Sequence, residues 1–115
     1  MPYVNRNSLL VIPKYPFIEW LSKITEGNVT MEENPLASDG ASIYLVPEFE
    51  VQEDFDEWFE ENYLFFFEEE LTSWSVDRNQ WPADRNLESF HEWFYAIWQS
   101  TVIDVVDGSL NKLDY

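Results

Sequence analysis

Glu88 and His91 stand in the run Glu-Ser-Phe-His, the Glu-x-x-His spacing that puts two metal ligands on one face of a helix. A di-metal carboxylate site needs that motif twice, plus two further carboxylates, and His91 is the only histidine. Zinc sites draw on several Cys or His ligands, and the chain has no cysteine. The run EDFDEWFEE, residues 53–61, is rich in oxygen ligands but lacks the glycine turn of an EF-hand loop. The three glycines are not spaced for a phosphate loop or a dinucleotide fingerprint, and no Gly-x-Ser-x-Gly elbow occurs. No metal or cofactor is expected. As a general base, His91 has no partner acid or nucleophile that the sequence identifies, and it reads as a half-buried packing residue.

Two carboxylates hold more promise. Glu70 falls on the apolar side of a helical pattern, and Asp104 alternates with Val102 and Val106. A buried carboxylate must be paired, hydrogen-bonded or protonated, and Arg78 or Arg85 is available as a partner. One reading is a cofactor-free acid–base pair at Glu70 and Asp104, with His91 and Arg85 nearby. The plainer reading is a structural ion pair, and it is preferred. Among six tryptophans, which packing explains first, Trp81 precedes Pro82 in a polar connector and is the one best placed to meet a partner; the plainer reading is a half-buried tryptophan closing a core edge.

These residues need elements to hold them. Residues 8–13 (SLLVIP), 42–47 (SIYLVP) and 101–107 (TVIDVVD) read as strands, each closed by proline or glycine. Pro16 fits a first helical turn, Phe17, Trp20, Leu21 and Ile24 share a face, and Gly27 ends that helix. Turns are expected at Asn34-Pro35 and Asp39-Gly40, and residues 29–31 are a possible further strand. A long helix is read over 52–74. At 100° per residue it places Phe55, Phe59, Asn62, Tyr63, Phe66, Phe67 and Trp74 inward and Glu57, Glu60, Glu61 and Glu68 outward. The run Tyr-Leu-Phe-Phe-Phe, residues 63–67, therefore splits between two faces, leaving Leu64 and Phe65 off the core side. After a connector, a last helix is read over 87–100 with Asn86 as its N-cap.

The order is β-α-β-α-α-β: one domain over residues 1–115, α/β or α+β in class, with a small three-stranded sheet packed against helices. A right-handed crossover would make the first two strands parallel.

The formal net charge is −17. Between Lys23 and Arg78 lie sixteen acidic residues and no basic one, and eleven of them fall in residues 48–70. Such a surface repels nucleic-acid phosphates and anionic membranes, so neither direct nucleic-acid binding nor membrane attachment is expected. The absence of cysteine and of a leader-like apolar run fits the cytoplasm.

The segments NRNSLLVIPKYPFIEWL, IYLVPE, FEEELTSW, WPADR and FHEWF running into VIDVVD touch about half the chain. In them the chain resembles a family of small acidic bacterial proteins with no assigned activity. The resemblance implies a compact domain and no particular chemistry.

These observations point to a non-enzymatic interaction protein. It would present Glu57, Glu60, Glu61 and Glu68, anchored by Leu64 and Phe65 with Trp81 as a further contact, to a basic protein or to a second copy of itself. The alternatives are the small carboxylate enzyme and a DNA mimic. On a helix, the acidic run carries roughly one charge per 3 Å, of the same order as duplex DNA.

Overall fold

A computed structural model of the chain describes residues 3–29 and 40–106. The elements run β1 (Asn7–Pro13), α1 (Tyr15–Ile24), β2 (Ser42–Val46), α2 (Gln52–Thr72), a 3₁₀ turn (Arg78–Gln80), α3 (Leu87–Trp93) and β3 (Phe94–Gln99). The fold is α+β, with a three-stranded sheet ordered β2-β1-β3. The turn at Asn34-Pro35, the possible strand at residues 29–31, Asp39, and the glycine stop at Gly108 lie wholly or partly outside the described residues.

β1 and β2 are antiparallel, from Asn7 opposite Val46 to Val11 opposite Ser42, not parallel as the crossover rule suggests. That rule applies only once two strands are parallel. Here the connection from α1 to β2 is long enough to bring the chain back to either end of β1.

The third strand is also not where periodicity puts it. The pattern predicts a helix over 87–100 and a strand over 101–107. Instead α3 stops at Trp93, and Phe94 turns at once into extended backbone. β3 then pairs antiparallel with β1, from Ser8 opposite Gln99 to Pro13 opposite Phe94. Of the expected strand, Ile103 makes one isolated bridge, to Tyr3. Two forces favour this outcome. The second side of β1 has backbone groups that need partners. Phe-Tyr-Ala-Ile-Trp is also rich in residues suited to a pleated surface, with Phe94, Ala96 and Trp98 facing inward together.

α2 is unbroken through Asn62 and ends at Thr72, two residues short of Trp74, which is left exposed. Glu53 and Asp54 suit its N-terminal dipole; Glu68, Glu69 and Glu70 oppose its C-terminal one, and no basic residue offsets them in the last turn. α3 is short but well capped: Asn86 Oδ1 accepts from Ser89 N at 2.8 Å, and Ser89 Oγ accepts from Asn86 N at 2.9 Å.

Phe55, Phe59, Phe66, Phe67 and Leu71 of α2 pack with Leu9, Val11 and Val46 of the sheet, with Phe17 and Leu21 of α1 and with Phe90 of α3. The rings interlock: Phe67 meets Phe90 at 5.6 Å edge-on and Phe94 at 5.7 Å perpendicular, while Phe59 stacks on Phe55 at 5.6 Å. Trp20 Nε1 finds an acceptor in the Gln80 carbonyl at 2.7 Å.

Asn7 is the one buried uncharged polar side chain among the described residues. It donates to Ser100 O at 2.8 Å and accepts from Phe49 N at 2.7 Å and Trp98 Nε1 at 3.1 Å. It thus ties the start of β1 to the chain leaving β2 and to the end of β3. Asn7→Ala should cost about 1–3 kcal/mol, because the Phe49 amide and the Trp98 indole lose their acceptor inside the protein. Urea denaturation would show this as a lower midpoint at unchanged slope.

Candidate functional site

Glu70 is 4% exposed in the last turns of α2, as its place on the apolar face predicts. Its partner is neither arginine. Tyr44, in the middle of β2, donates its hydroxyl to Glu70 Oε2 at 2.5 Å. The Tyr44 ring lies edge-on to Phe66 at 4.9 Å, and that contact aims the phenol along the helix toward Glu70. Burial pushes the Glu70 carboxyl above its ordinary value, and the hydrogen bond from Tyr44 only partly opposes that shift. The Tyr44 phenol is pushed up as well, first by burial and then by the carboxylate it faces. This pair is a structural pin between β2 and α2.

The two expected arginine partners are engaged elsewhere. Arg85 Nη1 donates to Pro82 O at 2.8 Å, and its guanidinium lies 5.6 Å from the centre of the Trp81 ring. Arg78 lies over the same ring at 4.8 Å and reaches Glu68 at 3.9 Å. Trp81, the candidate partner contact, instead follows its plainer reading as a core-edge tryptophan: it is 8% exposed, and its indole nitrogen donates to Ser75 O at 2.9 Å. Its ring closes the edge of the core under the two cations, so it offers a partner almost nothing. A connector tryptophan with arginines on either side in sequence was the available signal for this stack.

Glu70 and Asp104 do not meet. Tyr44 and Leu45 point to opposite faces of β2. Glu70 is bonded to Tyr44, whereas Asp104 lines a shallow cavity with Leu45, Val4 and Val102 and accepts from Val106 N at 2.9 Å. No carboxylate pair is assembled there. His91 stands at the surface, with its ring against Phe59 at 6.0 Å and Phe90 at 5.8 Å. Partial burial, then Lys14, hold its imidazole below the usual value, with Asp56 opposing them. Glu88 is exposed one turn away, and no group of three or more metal-ligating side chains occurs among the described residues.

The expected interaction residues lie differently. Glu57, Glu60 and Glu61 are exposed along the outer side of α2, and Glu68 is partly covered by its bridge to Arg78. Leu64 and Phe65 are 41% and 57% exposed. They do not form one patch. On the helix they are 100° apart, with Glu57, Glu61 and Glu68 in the arc between them. Phe65 leans toward β2, where with Trp58, Asn62 and Phe66 it forms one wall of a groove of about 320 Å³. Residues 44–47 form the other wall. No lysine or arginine lines this groove, and exposed Glu61 and Glu69 flank Phe65 one turn before and one turn after. Sequence periodicity places Phe65 off the core but does not reveal that β2 supplies the facing wall.

Against protein-family models, curated proteins and solved structures, the chain finds no match.

The Tyr44–Glu70 pin has a definite pH signature. With its pKa raised on folding, Glu70 binds its proton more tightly in the folded chain than in the unfolded one. Its contribution is therefore full below the unfolded carboxyl value, near 4.5, and is lost as pH rises through the higher folded value. Stability measured in urea from pH 4 upward should fall across that window, and Glu70→Gln should flatten the fall. Tyr44→Phe should cost about 1–3 kcal/mol at pH 7, since it removes one donor from a buried carboxyl and leaves it the Ser42 hydroxyl. In the Glu70→Gln background the Tyr44→Phe cost should shrink.

Proposed function

We propose that this chain is a non-enzymatic acidic interaction protein whose partner is a basic protein. The observation that carries the reading is Phe65. It is a large aromatic side chain left more than half exposed, at the lip of an apolar groove and inside a row of carboxylates. Exposed phenylalanine alone is ordinary; combined with a concave apolar wall and one sign of charge, it describes a recognition surface. A basic segment bearing apolar residues complements both features. Carboxylates would speed and orient the encounter, and the groove would supply the short-range contact.

Self-association is the weaker form of this reading, because two chains of formal charge −17 repel one another. DNA mimicry is also weaker. A phosphate backbone has no counterpart to Leu64 and Phe65, which flank the acidic arc on both sides. The carboxylate-pair enzyme loses its motivation once Glu70 and Asp104 are held on opposite faces of β2. The likeness of several segments to small acidic bacterial proteins, and the absence of cysteine, favour a bacterial cytoplasmic protein, and the net charge of −17 disfavours direct contact with nucleic acid or anionic membranes. No helix of the described residues is long and apolar enough to cross a bilayer.

The test is retention of basic proteins by the immobilised chain. Binding is expected at roughly 50 mM salt and release near 500 mM, where the screening length has fallen to a few ångströms. Phe65→Ser should retain markedly less than the parent, while Leu64→Ser should change little, since Leu64 lies on the far flank. The reading fails if no basic protein is held at low salt and the double variant Leu64→Ser/Phe65→Ser leaves the size in solution unchanged.

A further inference from the structure

Resting on that reading, we propose how the partner engages: as an extended segment that adds a fourth strand to the outer edge of β2. Its centre would be Val- or Ile-rich, and Lys or Arg would stand at both ends.

β2 is an edge strand. Among the described residues it pairs only with β1. In an antiparallel pair every second residue of an edge strand directs its N–H and C=O outward, and these form a ready template for another chain. Proteins usually blunt such edges with lysine, proline, a bulge or an inward charge. Ser-Ile-Tyr-Leu-Val, residues 42–46, carries none of these. Ile43 and Leu45 are instead exposed at 71% and 53%.

The groove beside that edge fits a strand's side chains. Its volume, about 320 Å³, lies at the low end for binding pockets, which suits a few aliphatic groups better than a large cofactor. Successive residues of an added strand would alternate, one set entering the groove against Phe65 and Trp58 and the other covering Ile43 and Leu45 on the opposite face.

Charge selects the ends of the segment. Exposed Glu69 lies near the Tyr44 end of the groove, while Glu48 follows β2 and Glu61 precedes Phe65 by one turn. Cationic ends would meet carboxylates at both limits of the strand. A second copy of this chain would bring the same carboxylates against each other. The opposite edge, β3, is a poorer template. Its neighbouring cleft is lined by Asp56, Glu60 and His91, which an apolar strand would have to desolvate.

The probe is an eight-residue peptide with a Val-Ile-Val-Ile centre and two basic residues at each end. It would be titrated at low salt while amide hydrogen exchange is followed in residues 42–46. Binding should slow exchange at alternate amides there. Methylating the peptide's alternate backbone nitrogens should weaken binding about tenfold or more, since each lost backbone hydrogen bond is worth about 1 kcal/mol. Phe65→Ser, at an exposed position that folding does not depend on, should weaken it about tenfold.

If the methylated peptide binds as well as the parent and residues 42–46 gain no protection, strand addition is overturned while the basic-partner reading stands. The same holds if basic proteins are retained by the chain but this peptide is not. Outward-directed amides of β2, those not bonded to β1, already protected in the free chain at every concentration would mean that the chain covers its own edge. Protection that grows with concentration would mean that a second copy does so. Either result overturns the proposal.

Discussion

The packing of one aromatic face of α2 against one face of the sheet is the contact on which everything else depends. Phe55, Phe59, Phe66 and Phe67 are all nearly fully buried, and a buried phenylalanine side chain contributes roughly 1.5–3 kcal/mol relative to exposure. The consequence is geometric. Once these four rings are fixed, the rotation of α2 is fixed, and with it the direction of every other side chain on its surface. Glu57 and Glu61 must face water, Glu70 must be buried, and Phe65 must stand at the edge beside β2.

The burial of Glu70 follows from that rotation, because the helix face carrying Phe59 and Phe66 continues through position 70. A carboxylate carried into the core needs a donor, and Tyr44 provides it from the strand that α2 covers. The price is a carboxyl with a raised affinity for protons. The gain is a directional link between α2 and β2, which the ring contacts alone would not give, since apolar packing tolerates sliding. Asn7 does the same at the other end of the sheet, joining three segments distant in sequence through one amide. These two polar hubs register the sheet and helix with respect to each other. The Phe65 groove, which lies between β2 and α2, owes its shape to that registration.

Charge and hydrophobicity on α2 serve different ends. The outer carboxylates keep a phenylalanine-rich chain dispersed and give a long-range preference for cations, but they specify little by themselves. Specific recognition on this surface has to come from the one place where shape and apolar area coincide, where Phe65 leans over the end of β2. Trp81, the further contact that the sequence suggests, is held by a carbonyl and two guanidinium groups and is part of the scaffold.

Much of the fold was legible in the chain itself. The first two strands, α1, the long α2 with its buried and exposed faces, the cap at Asn86, the burial of Glu70 and the exposure of Leu64 and Phe65 all follow from local spacing, because side-chain direction within a single element depends only on its period. The last element resisted. Leu87, Phe90, Phe94 and Ile97 satisfy a helical repeat, and Phe94, Ala96 and Trp98 satisfy a strand repeat; the unpaired side of β1 decided between them. The antiparallel direction of β2, the engagement of Tyr44 with Glu70, the capture of Trp81 by Arg78 and Arg85, and the groove between β2 and α2 are likewise meetings of residues far apart in the chain. Local periodicity holds no information about such partners. They exist only after backbone hydrogen bonding and ring packing have chosen which surfaces face each other.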